Sequence, residues 1–146
     1  MKNFFKKLWV RITAGILLGI FAAFYIYTLD YYKALPIALE TMAEKQTVSI
    51  ENKNNMIIFS PKDDKSDTGF AFYPGGKVEY LAYVPLMNEL SKKGITCVLL
   101  KMPLNLAVFN INAANKAMDA LPDIKNWYVG GHSLGGAMAS AYAAKN

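Results

Sequence analysis

Apolar residues are distributed in two ways along the 146-residue chain. From Ile12 to Leu29, eighteen consecutive positions carry no charge and are rich in Ile, Leu, Phe, Ala and Tyr. A run of that length is just enough to cross a bilayer as a helix. After Asp30 the apolar residues come in short blocks punctuated by turn formers. Leu35–Lys45 (LPIALETMAEK) reads as a short amphipathic neck helix. Thr47–Glu51 alternates like a strand, Asn52–Asn55 is turn-rich, and Met56–Ser60 is a second strand, so the pair predicts a hairpin. A polar loop, Pro61–Thr68, leads to a buried-type strand at Gly69–Tyr73 that runs into Pro74-Gly75-Gly76-Lys77. A helical stretch, Glu79–Lys93, is closed by Gly94. Then come a strand at Ile95–Leu100, a loop at Lys101–Asn105, a helix at Ala113–Leu121, a strand at Trp127–Val129 and a helix from Leu134. Strands alternating with helices at this spacing predict a parallel sheet with right-handed crossovers. The chain divides into a basic N-terminus with its apolar span (1–32), a neck (33–46) and a domain (47–146).

Charge sharpens the first part and leaves the second plain. The formal net charge is +5, but Lys2, Lys6, Lys7 and Arg11 all precede the first acid, Asp30. From Asp30 onward 12 basic residues face 11 acidic ones, which leaves no nucleic-acid footprint. A basic flank before the span predicts a cytoplasmic N-terminus, with the rest of the chain outside the cell membrane. Trp9 near one end and Tyr25, Tyr27, Tyr31 and Tyr32 at the other resemble interfacial belts. A cleaved signal has the same order of basic then apolar residues and is the alternative. The length of the run and the lack of an A-x-A site favour an uncleaved single-pass anchor. Cys97 is the lone cysteine, which excludes an intrachain disulfide; its apolar surroundings predict a buried, inert thiol. Asp63, Asp64 and Asp67 read as solvated turn acids, and neither metal nor cofactor is expected.

The chemistry concentrates in Tyr128–Ala144, YVGGHSLGGAMASAYAA. Ser133 stands between Gly131 and Gly135 in the G-x-S-x-G pattern of a nucleophile elbow. A serine at a sharp strand-to-helix turn is forced into strained backbone, and side chains two positions either side would collide there. The first N–H groups of the helix, chiefly that of Leu134, are available to a developing oxyanion. Three fixed positions make a weak motif, so the strand before and the helix after carry the assignment. A glycine-rich turn that only packs, or binds phosphate, is the plainer alternative. Neither a Walker pattern nor G-x-G-x-x-G fits.

From Gly69 onward the chain resembles the front half of an α/β-hydrolase. The likeness is strongest to uncharacterised bacterial serine hydrolases of esterase type that carry FYPGGKV, KMP-x-N-L-A and GGHSLGG. Here these are Phe72–Val78, Lys101–Ala107 and Gly130–Gly136. The resemblance implies a mostly parallel sheet with flanking helices, which the apolar run Ile12–Leu29 would precede as one transmembrane helix. It also implies that the loop Pro74–Lys77 supplies the second oxyanion donor through Gly75 or Gly76. Lys77, Lys101 and Asn105 are not assigned roles.

Such an enzyme also needs a base for the serine and an acid to orient that base, in the order Ser, Asp/Glu, His. Thirteen residues follow Ser133, and the one histidine, His132, is its neighbour on the turn and points elsewhere. Asp119 and Asp123 read as helix-end and turn residues. The chain is therefore expected to be an N-terminal portion, inactive alone, with the acid and the histidine beyond Asn146. The strand before the serine should then have an unpaired edge. Two functions follow: a membrane-anchored serine hydrolase acting on a small ester or related acyl substrate, or a non-catalytic anchored binding or structural module.

Overall fold

The computed structural model describes residues 2–43, 47–63 and 66–146. It contains two compact units, Met1–Asp30 and Tyr31–Asn146. The first is a single helix, α1 (Lys2–Leu29), which starts ten residues before the uncharged run. The basic segment Lys2–Arg11 has no glycine or proline to interrupt it, so the helical pattern continues back through the charges. Phe4–Leu29 is long and apolar enough to cross a membrane.

In the second unit α2 (Pro36–Ala43) opens with proline, whose missing N–H costs nothing at a helix start. The end expected for this neck helix, at Lys45, lies outside the described residues, as does Asp64. Strands β1 (Val48–Lys53) and β2 (Met56–Pro61) form the hairpin. Its turn is only Asn54-Asn55, both at positive φ (52° and 62°), the geometry that matches the twist of paired strands and that asparagine tolerates. Asn52 and Lys53, expected in the turn, extend β1 instead.

Strand β3 (Thr68–Tyr73) is followed by a 3-10 turn at Tyr80–Tyr83 and by α3 (Val84–Ser91). The single helix expected over Glu79–Lys93 is thus broken in two. Pro85 sits in the first turn of α3, where its ring is tolerated, whereas deeper in a longer helix it would cost a hydrogen bond. Strand β4 (Thr96–Leu100), helix α4 (Ala113–Ala120), strand β5 (Asn126–Gly131) and helix α5 (Leu134–Ala143) complete the unit.

The sheet order is β1-β2-β4-β3-β5. It is mixed rather than mostly parallel. β3 runs parallel to β4 and β5, but β2 is antiparallel to both β1 and β4. The short hairpin fixes the first antiparallel pair, and docking β2 on β4 adds the second. β5 pairs with β3 alone and forms an edge among the described residues.

Alternation along the strands builds two cores, one on each face. Met56, Ile58, Ala71, Tyr73, Val98 and Leu100 pack under α4 and α5 with Ala113, Ala117, Ala139 and Tyr142. Ile57, Phe59, Phe72, Cys97 and Leu99 pack with Ala38 of α2 and with Val84 and Met87 of α3. Both faces of β2 and β4 are therefore covered, which explains why MIIF and CVLL read as unbroken apolar runs. Each fully buried Leu or Phe contributes about 1.5–3 kcal/mol through removal from water.

Cys97 lies wholly within the second core, and burial pushes its thiol up to about 12. An unfolded cysteine titrates near 8.5. The folded protein therefore holds the proton more tightly, so the stabilisation present below about pH 8.5 is lost as pH rises toward 12. A thiol reagent at about pH 8 should modify Cys97 only after denaturant unfolding. Rapid native-state labelling, followed by absorbance, would contradict that burial.

Candidate active site

The site is made where the ends of β3 and β5 meet the start of α5. Ser133 has φ 50° and ψ −122°, a conformation costly for any residue with a Cβ. Its side chain is exposed and makes no capping hydrogen bond to α5. The turn closes through backbone: the His132 carbonyl accepts the Gly135 N–H at 2.9 Å and the Gly136 N–H at 3.4 Å, and Ser133 O accepts from Ala137 at 3.1 Å. The N–H of Leu134 has no partner among the described residues.

Glycine is required here by contact. A Cβ on Gly131 would strike the Tyr73 carbonyl oxygen and lie 2.7 Å from the Gly135 carbonyl carbon. A Cβ on Gly135 would strike the carbonyl oxygens of both Tyr73 and Pro74. The end of β3 therefore touches the elbow backbone to backbone, and the His132 N–H donates to Tyr73 O at 3.1 Å.

Tyr73 is fully buried, and its side chain fixes the other flank. Its hydroxyl donates to Ile111 O at 2.7 Å and accepts the Ala114 N–H at 3.1 Å, pinning the start of α4. Burial raises the pKa of this hydroxyl, and the Ala114 hydrogen bond opposes the shift.

The loop after β3 brings Gly75 and Gly76 to the elbow. Gly76 lies against Leu134: a Cβ on it would be 3.0 Å from the Leu134 Cδ2. The Gly76 N–H has no partner among the described residues. The Gly75 N–H donates to the Tyr83 hydroxyl at 3.1 Å, and that hydroxyl lies 2.9 Å from His132 Nδ1. Lys77, at φ 56°, donates its N–H to Asn105 O at 2.9 Å, which ties this loop to the 3-10 turn Pro103–Asn105. Lys101 places its ammonium 5.5 Å from the Tyr80 ring.

Asp119 is in the last turn of α4 and Asp123 in the turn beyond it, both exposed. Asp67 caps the start of β5, its carbonyl accepting from Lys125 and Asn126. No group of three or more His, Cys, Asp or Glu among the described residues could hold a metal. A pocket of about 320 Å³ opens between Asn55, Met56, Lys101, Met102 and Lys116, but Ser133 and the glycine loop do not line it. Sequence reasoning missed Tyr73 and Tyr83; both act across long stretches of chain, and their local patterns carry no sign of it.

Residues 69–146, just over half of the chain, match the model of the Alpha/beta hydrolase family. The chain belongs to that family. No curated protein matches the sequence. Among solved structures, the crystal structure of EstE5 soaked with ethyl alcohol matches with a TM-score of 0.55 and 16% identity, over 75% of this chain and 43% of that one. EstE5 soaked with p-nitrophenyl butyrate gives 0.54 and 14%, over 76% and 45%. The monoclinic form of the Pyrobaculum calidifontis esterase gives 0.52 and 16%, over 85% and 45%. At such identities the likeness is one of fold. The chain spans less than half the length of each of these structures.

Gly135→Ala should destabilise the second unit by about 3 kcal/mol, because backbone rather than a mobile side chain opposes the methyl group. Gly136→Ala, whose nearest neighbour would be Gly131 O at 3.0 Å, should stay within about 1 kcal/mol of the parent, helped by alanine's helix propensity. Urea midpoints of the two variants would separate these outcomes; equal midpoints would refute the contact argument.

Proposed function

We propose that this chain carries the nucleophile of a membrane-anchored serine hydrolase of esterase type. The observation that carries the reading is an exposed Ser133 in strained backbone, followed by Leu134, against which Gly76 packs; the backbone N–H groups of Leu134 and Gly76 have no partner among the described residues. In this scheme the Ser133 hydroxyl oxygen attacks the acyl carbonyl of a small ester, and the two N–H groups receive the negative charge that develops on the carbonyl oxygen. Gly131 and Gly135 allow the turn, and Gly75 sits one residue from the donor. Such preorganised donors act without reorganising during the reaction, and loss of one costs about 3–4 kcal/mol elsewhere.

The proton of Ser133 needs an acceptor that the described residues do not place beside it. His132 Nδ1 is engaged with Tyr83, and Asp119 and Asp123 belong to α4 and its following turn. The 146-residue chain is therefore expected to form a slow covalent adduct with a fluorophosphonate at Ser133, but to show no multiple turnover of a p-nitrophenyl ester. Residual reactivity of roughly 10³–10⁴ over water is what an oxyanion site retains without its triad. Peptide mass mapping, with Ser133→Ala as control, reads the adduct. A folded chain in which Ser133 stays unmodified would favour the non-catalytic module; serine-dependent turnover would make His132 the base.

The anchor is the second part of the proposal, with α1 crossing the membrane uncleaved and the hydrolase unit outside the cytoplasm. The apolar length of Phe4–Leu29 and the basic residues Lys6, Lys7 and Arg11 support it. The protein should resist carbonate extraction from membranes and keep its first residues. A mature N-terminus beyond Leu29 would identify a signal instead.

A further inference from the structure

Tyr83 joins the two halves of the site. Its hydroxyl accepts the Gly75 N–H at 3.1 Å and meets His132 Nδ1 at 2.9 Å. A backbone N–H can only donate, so the hydroxyl accepts it and keeps its own proton available for donation to Nδ1. A neutral imidazole so engaged carries its proton on Nε2. The phenol ring is held in place by Phe72, with centroids 4.9 Å apart, and lies 6.0 Å from the imidazole. Gly75 leaves room for this arrangement: a Cβ there would be 2.6 Å from His132 Nδ1 and 3.0 Å from the Tyr83 oxygen.

The consequence falls on the next peptide plane. The Gly75 carbonyl accepts the Val78 N–H at 3.2 Å. In a trans peptide the N–H points opposite to the C=O, so the Gly76 N–H is turned away from Val78. Among the described residues it has no partner, and its residue packs against Leu134. The plane is bracketed on its other side by the Lys77 N–H on Asn105 O.

We propose that Tyr83 is a positioning residue, a hydroxyl clamp between Gly75 and His132 that fixes the loop to the elbow and assigns the oxyanion contact to Gly76 rather than Gly75. The catalytic half of this inference rests on Ser133 being the nucleophile; the clamp itself does not.

His132 is the only histidine, so its imidazole resonances can be assigned without ambiguity. The test is nitrogen-resolved NMR of the full chain in detergent micelles at alkaline pH, where imidazole is neutral. The parent should show the Nε2–H tautomer and a slowly exchanging Gly75 amide, with Gly76 exchanging faster. Tyr83→Phe keeps the ring but removes the hydroxyl. It should mix the tautomers and speed Gly75 exchange about tenfold or more. An Nδ1–H tautomer in the parent, or an unchanged tautomer and Gly75 rate in Tyr83→Phe, would overturn the clamp.

Phosphonylation of Ser133 provides the functional arm. Tyr83→Phe and His132→Gln should each slow it roughly 10–100-fold, the scale expected when positioning is lost. The double variant should be no slower than the worse single, because both remove one unit. Multiplying losses would overturn the clamp as a shared device. If the parent's Ser133 proves inert, the nucleophile assignment falls, while the tautomer and exchange rates still decide the role of Tyr83.

Discussion

The carbonyl of Tyr73, at the end of β3, is where the sheet and the elbow touch. It accepts the His132 N–H, and it occupies the space that a side chain on Gly131 or Gly135 would need. The hydroxyl of the same residue, buried in the core under α4, holds Ile111 and Ala114. One tyrosine thus fixes the strand end, the strained serine and the start of a neighbouring helix relative to one another. Because the contact is between backbones, it leaves little freedom for adjustment. The serine's geometry is imposed by packing behind it.

Two covered sheet faces give that contact its rigidity. Phe72 points to the core of α2 and α3, while Ala71 and Tyr73 point to that of α4 and α5. The loop leaving β3 is consequently anchored from both sides before it reaches Gly75 and Gly76. Tyr83 continues the same logic beyond the sheet: the ring packs at a tilt against Phe72 and the hydroxyl reaches the loop and the elbow. Rigid supports of this kind are what preorganised donors need if they are to stabilise charge without moving.

Much of this was legible in the chain because its signals are local. The runs MIIFS, GFAFY and ITCVLL are bounded by turn formers, and each is a strand within a residue or two of the expected limits. The glycines around Ser133 announce a crowded turn by composition alone. The order of the strands was not legible. Nothing in hydrophobic periodicity says that β4 lies between β2 and β3, or that β2 runs antiparallel to it. The break before α3 depended on Pro85, which permits a helix to begin as readily as it ends one. The Tyr83–His132 contact spans 49 residues and leaves no trace in either neighbourhood.

The backbone contact behind the elbow also bears on how this segment can drift over generations. Every single-base missense change in a glycine codon introduces a side chain with at least a Cβ. At Gly131 and Gly135 that atom meets carbonyl groups, so neither position has an accessible neighbour, whatever the chain is used for. Ser133 is under the opposite pressure. At φ 50° a glycine would sit there with less strain, and it is one base away from the serine codons AGU and AGC. In a descendant freed from chemistry, the glycines would persist for the sake of the fold while the serine relaxed. Within this motif, the glycines record architecture, and the serine is the position at which idleness would show first.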